Sequence, residues 1–250
     1  MTLPGVTQID QIVGGIYRIA TWPVPDAGIT FNQFLIEDER PALIHTGMHY
    51  LYEAVRGAVS EVLDPASLSY VALLHFEADE CGGMGRFLAE APGSTLVASV
   101  LSAGLNLSGW DYTGTVKGFA DGQVLDLGKH RLRFLETPHV HHWDSMMIVE
   151  ETTRSVFPAD LYIQPGEQPA VVDENLGETM CSYYRDIGIF AHETPVRAVV
   201  GRIEALQPNW MHAMHGGSLG RQTIPLNAEA LRSRPFAYDG RLLGRQTVTR

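Results

Sequence analysis

The 250-residue chain contains only two cysteines, Cys81 and Cys181, too few for a disulfide framework and in keeping with a reducing cytoplasm. No apolar run approaches the ~20 residues of a membrane-spanning helix. The first residues, MTLPGVTQIDQ, carry neither the basic nor the apolar stretch of a secretory signal, so a cytoplasmic location is expected. Basic residues are scarce: 18 Lys and Arg stand against 29 Asp and Glu, a formal net charge of -11. That balance disfavours nucleic acid or an anionic membrane as a partner. No linker, repeat or low-complexity stretch marks a boundary, and residues 1–250 are expected to form one domain. With 45% hydrophobic and 19% charged residues, the chain can bury a substantial core.

Short β-branched or aromatic runs at 12–20, 30–37 and 41–45, separated by Pro, Gly and Asp turns, read as strands. Tyr50 to Val62 carries a helical apolar pattern ending near Asp64–Pro65. Tyr70 to Leu74 is a continuous apolar run, the pattern of a strand buried on both faces. A helix is expected from about Gly83 to Ala91, stopped by Pro92–Gly93. Further strands are predicted near 95–98, 123–126, 131–136, 145–150, 154–157 and at Trp210–Ala213. Helices are predicted within 175–190, at 194–206 and at 226–233. Bunched strands separated by helices imply sheets covered by helices, a layered α/β arrangement.

What the chain does have is histidine and carboxylate at the ends of these strands. In LLHFEADECGG, residues 73–83, His75, Glu77 and Asp79 are spaced by twos and Glu80 follows at once. In an extended segment alternate residues share one side. A core cannot hold unpaired charges, so a cation is expected beside them. Three more clusters follow predicted strands: His139, His141 and His142 in TPHVHHWDSM, Asp160 in SVFPADLY, and His212 and His215 in MHAMHGG. An H-x-E-x-D triplet alone is weak evidence, whereas four polar clusters each capping an apolar strand are hard to obtain by chance. Imidazoles and carboxylates without thiolates suit two closely spaced first-row metal ions. Asp79 and Glu80 could instead cap the next helix at its positive end, but that accounts for neither His75 nor the other clusters.

The clusters resemble the metal motifs of the metallo-β-lactamase fold, above all its flavodiiron and oxygen-binding diiron branch. That branch carries H-x-E-x-D where most hydrolases of the fold carry H-x-H-x-D-H, and Glu77 stands at the distinguishing position. The family segment T-P-x-x-H-W-P-D-S-M aligns without a gap on Thr137–Met146 and selects His141. The family's bridging Asp, nineteen residues on, falls at Asp160, and its last ligand, a His before Gly, matches His215-Gly216. FNQFLIEDERPALIHTG at 31–47 resembles the fold's early paired strands, so the resemblance covers nearly the whole chain. It implies an α/β fold, a four-layer αββα sandwich. It also implies metal ligands His75, Glu77 and His141 on one ion, Asp79 and His215 with Glu80 on the other, and Asp160 between them. Two positions depart from the family pattern. Glu80 stands where the family has His, and either coordinates or leaves a place open to water. His45-Thr46-Gly47 replaces Asp-Thr-Gly, which puts His45 near the metals. Flavodiiron proteins continue into a flavodoxin-like domain that binds FMN. This sequence has no phosphate-binding loop and resembles the isolated diiron domain.

The resemblance further implies a non-haem pair of iron ions, with zinc or manganese as alternatives. Such a pair would bind or reduce O2 or NO with electrons from a separate protein, in a homodimer. Two carboxylates in place of imidazole or thiolate shift preference from zinc toward harder iron or manganese. A dinuclear hydrolase acting on an ester, thioester, lactone or phosphodiester competes with this reading. So do an oxygen sensor without turnover and a diiron oxygenase acting on an organic substrate. No catalytic residue beyond the ligands is singled out. His139, His142 and His212 read as pocket wall or surface, His130 and His192 as surface, His49 as the start of a helix and Cys81 as a buried thiol. Asp144 and Ser145 read as hydrogen-bonding supports for the ligating imidazoles, and Tyr183 and Tyr184 stay open between core and site.

Overall fold

A computed structural model describes residues 5–23, 28–110 and 112–241. The first sheet contains β1 (Val6–Val13), β2 (Ile16–Trp22), β3 (Phe31–Ile36), β4 (Ala42–Ile44), β5 (Tyr70–Ala72), β6 (Thr95–Ser99) and β7 (Thr115–Phe119), in chain order. It is antiparallel from β1 to β4 and parallel from β4 to β7. The second sheet contains β8 (Val124–Asp126), β9 (Arg131–Glu136), β10 (Met146–Glu150), β11 (Ser155–Phe157), β12 (Val171–Val172), β13 (Trp210–His212) and β14 (Ser218–Gly220). Its order is β12-β14-β13-β11-β10-β9-β8.

The two sheets face one another, and helices cover their outer faces. Residues of α1 (Tyr52–Ser60), α2 (Ala78–Cys81) and α3 (Met84–Glu90) share a core with outward residues of the first sheet. Residues of α4 (Gly177–Ile187), α5 (Glu193–Leu206) and α6 (Ile224–Ser233) do the same on the second. A third core lies between the sheets. Strand periodicity of two explains the layering. In β10, Met147 and Val149 face the helices while Met146 and Ile148 face the other sheet. Likewise Val71 and Leu73 point outward, and Ala72 and Leu74 inward. A strand buried on both sides reads as the unbroken apolar run seen at Tyr70–Leu74. The αββα sandwich expected from the resemblance is therefore the fold observed.

Three expectations are corrected. The strand predicted at 12–20 is two strands, because Gly14 and Gly15 both take positive φ (35° and 85°) and turn the chain between β1 and β2. Strands β7, β12 and β14 were not predicted. His130, expected at the surface, is 4% exposed, and its Nδ1 lies 3.2 Å from Oε1 of the buried Glu150. His192 is exposed, as expected. Among the described residues no helix is long and apolar enough to cross a membrane.

The topology gathers particular loops at one edge. Strands β9 and β11 both run antiparallel to β10, and β13 runs parallel to β11. Their C-terminal ends therefore point the same way. Two backbone hydrogen bonds tie the sheets there: Met146 N donates to Leu74 O (2.8 Å), and Asn32 N to Met214 O (2.9 Å).

Candidate metal centre

His75 and Glu77 follow β5, His141 lies between β9 and β10, Asp160 follows β11, and His215 lies between β13 and β14. All seven residues singled out from the sequence converge, in two groups. His75, Glu77, His141 and Asp160 form one; Asp79, Glu80 and His215 form the other. Within each group one donor atom per residue lies within 4.8 Å of the rest.

The extended reading of 75–79 holds only as far as Glu77, whose φ and ψ are −123° and 160°. Helix α2 then begins, and Asp79 joins Glu80 and His215 rather than His75 and Glu77. Close packing fixes this turn. A Cβ on Gly82 would fall 2.5 Å from both Ala78 O and His49 N, and one on Gly83 2.7 Å from Thr46 O. Thr46 N (2.6 Å) and Thr46 Oγ1 (2.8 Å) both donate to Glu80 O.

Asp160 stands between the groups. Its Oδ2 lies 2.9 Å from His141 Nε2 and 3.4 Å from His75 Nε2, while its Oδ1 lies 3.4 Å from His215 Nε2. Glu77 Oε2 approaches His141 Nε2 at 3.1 Å and His75 Nε2 at 3.5 Å. Asp79 Oδ2 is 3.5 Å from His215 Nε2, and Glu80 Oε2 is 3.5 Å from His75 Nε2. His215 Nδ1 donates to Thr30 O at 2.7 Å, leaving Nε2 as the inward donor atom. Gly216 N donates to Thr30 Oγ1, and the Gly216 carbonyl accepts from Asn32 Nδ2 and Arg18 Nε. The Tyr184 hydroxyl accepts from Ile163 N (2.8 Å) and donates to Asp160 O (3.2 Å).

The electrostatics are those of a cation site. Burial alone would push His75 down, yet Glu80 and Asp160 outweigh it and raise the imidazole well above its ordinary pKa. His141 is raised to about 9, its burial overcome by Asp160 and Glu77. Asp160 is held well below the carboxylate range, its burial overcome by His75, His141 and His215. Glu80 moves the other way, pushed well up by burial. His75 Nε2, Asp160 Oδ1 and both Glu80 oxygens are buried without a hydrogen-bond partner among the described residues. Such groups are costly unless a proton or cation meets them. The donor set fits two divalent ions: the charges of Glu77, Asp79, Glu80 and Asp160 balance them, with three imidazoles neutral.

Other predicted residues fall outside the cluster. His139 is exposed, and His212 is buried between Ser218 Oγ (2.9 Å) and Ser155 Oγ (3.1 Å). His142 lies at the rim, its Nε2 3.7 Å from Glu77 Oε2. Ser145 Oγ accepts from His142 N, and Asp144 Oδ2 accepts from Asn106 Nδ2. These two residues thus shape the loop around His142 rather than support a ligating imidazole. His45 Nε2 accepts from Leu74 N, and its Nδ1 meets Met214 Sδ, so it joins the sheets behind His75. Sequence reading missed Thr30, Asn32 and Arg18, which carry no motif, and left Tyr184 undecided. An open cleft of about 550 Å³ leads to the cluster, walled by Ile29, Ile163, Tyr183 and Ile189.

A four-layer αββα sandwich with a His–carboxylate cluster in two groups at one sheet edge defines the class. The model of the ODP family beta lactamase matches residues 29–216, and the chain belongs to that family. Among its relatives, the flavo-diiron protein FprA2 of Clostridium acetobutylicum is 30% identical over 208 residues, which cover 79% of this chain and 51% of that protein. The rubredoxin oxygen:oxidoreductase of Desulfovibrio gigas superposes with a TM-score of 0.80 at 21% identity, over 90% of this chain and 60% of that one. Fragment 1–254 of the putative diflavin flavoprotein A 5 from Nostoc sp. gives a TM-score of 0.80 at 23% identity, over 92% and 98%. The chain spans about half or less of the length of the curated relatives it matches.

Proposed function

We propose that this chain is a diiron protein that binds or reduces O2 or NO with electrons from a separate redox protein, and acts as a cytoplasmic homodimer. The observation that carries the reading is Asp160, whose two oxygens face separate donor groups that contain no thiolate. In this reading His75, Glu77 and His141 hold one ion, Asp79, Glu80 and His215 hold the other, and Asp160 bridges them. Two ferrous ions bound there would each supply one electron to a diatomic ligand, which zinc, lacking redox chemistry, cannot do.

The chain's own groups prepare that place. Thr30 O orients His215 by accepting from its Nδ1, which leaves Nε2 free for an ion. Tyr184 holds the backbone of Asp160 and so sets the carboxylate between the two groups. Ile29, Ile163 and Ile189 give the cleft an apolar wall suited to a small uncharged gas. The names of the relatives, a flavo-diiron protein and an oxygen:oxidoreductase, agree with this chemistry. The test is metal analysis of protein made under iron-replete conditions, with an optical spectrum before and after oxygen. About two irons per chain and an oxygen-dependent spectral change are expected. Clean zinc under those conditions, with hydrolysis of esters or phosphodiesters at about 1 per second or faster, would replace this reading with a metallohydrolase.

A further inference from the structure

The two donor groups are unequal. His75, His141, Glu77 and the near oxygen of Asp160 offer two nitrogens and two oxygens. Asp79, Glu80, His215 and the far oxygen of Asp160 offer one nitrogen and three oxygens. Glu80 makes the difference. Its side chain is fully buried, neither oxygen has a hydrogen-bond partner among the described residues, and it offers a donor atom alongside those of Asp79 and His215. A buried carboxylate grouped with Asp79 and His215, its Oε2 3.5 Å from His75 Nε2, is placed to meet a cation. Any one site binds ferrous iron more tightly than manganese, but imidazole suits iron whereas carboxylate also suits manganese. Manganese therefore competes best where nitrogen is scarcest.

We propose that the two positions differ in metal preference: the His75–Glu77–His141 group keeps iron, and the Asp79–Glu80–His215 group takes manganese when manganese is in excess. The product is an ordered manganese–iron pair. This rests on the dinuclear reading above, since it assumes that both groups bind metal.

The 250-residue protein is stripped of metal and loaded anaerobically, once with ferrous iron alone and once with ferrous iron plus an about tenfold excess of manganese. Both samples are analysed for metal, and crystals are measured at the iron and manganese absorption edges to place each element. From the mixture, about one iron and one manganese per chain are expected, with manganese beside Glu80. Glu80→His gives that position a second nitrogen, and its manganese occupancy should fall several-fold in favour of iron. Glu80→Gln, which keeps the shape and removes the charge, should lower it too. Iron in both positions despite the excess, or manganese spread evenly over both, overturns the proposal and leaves the dinuclear reading intact. Fewer than two metals in both loadings overturns the two together.

Discussion

Replacing Glu150 by Gln tests whether a buried ion pair braces the β8–β9 turn against the end of β10, far from the candidate metal centre. Glu150 Oε1 faces His130 Nδ1 at 3.2 Å and accepts from Thr152 N at 2.7 Å; Oε2 accepts from Thr153 N at 2.7 Å and from Thr153 Oγ1. His130 N in turn donates to Asp38 Oδ2, so the network joins the turn after β10 to the loop after β3. Burial opposes the Glu150 charge, yet His130 and Thr153 outweigh it and hold the carboxyl down at about 2. The Glu150 carboxylate beside it raises His130 above its ordinary value against burial. A depression of that size is worth at most about 3 kcal/mol, and solvent screening at the adjoining turn reduces it to about 2. Gln would also turn an NH2 toward groups that are themselves donors. Glu150→Gln should therefore lower Tm by about 4–8 °C for a chain of this size.

The pH dependence identifies the cause. A carboxyl with a lowered pKa contributes its stability above its unfolded value, about 4.5, and loses it as pH falls toward about 2. An imidazole with a raised pKa contributes in full below its ordinary value, about 6.5, and loses its share as pH rises through the raised one. The wild-type advantage over Glu150→Gln should thus peak between about pH 4.5 and 6.5 and shrink on both sides. Urea unfolding at a series of pH values measures it. An advantage that stays flat into alkaline solution would refute a charged His130.

Three further outcomes are expected. His141→Ala should lose one of two bound metals by elemental analysis, whereas His139→Ala and His142→Ala should keep both; the reverse pattern would mean that the ligand is misassigned by one residue. Tyr184→Phe leaves the buried Ile163 N–H without its acceptor, so urea unfolding should show a loss of about 1–3 kcal/mol; an unchanged midpoint would refute that role. Chemically reduced protein should consume about one O2 per two irons and stop, since two ferrous ions supply two electrons and full reduction to water takes four. Consumption should resume with a reductase and a flavin or rubredoxin-type carrier, and sustained uptake without any donor protein would refute the need for a partner.

The candidate metal centre was legible because it is written in residue types that have few other reasons to cluster. His75, Glu77, His141, Asp160 and His215 each follow an apolar run, and that order survives without any knowledge of the fold. The strands that were missed lack such a signature. β12 is two residues long, β14 is Ser-Leu-Gly, and β7 (Thr-Val-Lys-Gly-Phe) is short, interrupted by Gly118 and exposed at Thr115 and Lys117. Their pairing partners are supplied by the assembled sheets; β12 and β14 are too short to show a period of two, and the alternation in β7 spans only five residues with a glycine among them. His130 was misread for the same reason: its partner Glu150 is twenty residues away and becomes visible only when β8, β9 and β10 align. The extended reading of 75–79, unlike the placing of Asp79 with His215, fails for a different reason. Spacing by twos is a property of extended chain, and a single turn of helix between Glu77 and Gly82 is too short to announce itself in apolar periodicity. Glycine at 82 and 83 permits that turn, because a Cβ at either would clash with His49 N, Ala78 O or Thr46 O. The consequence is chemical: the turn brings Asp79 to His215, while Glu80 Oε2 stays 3.5 Å from His75 Nε2. One strand end thereby contributes side chains to both donor groups.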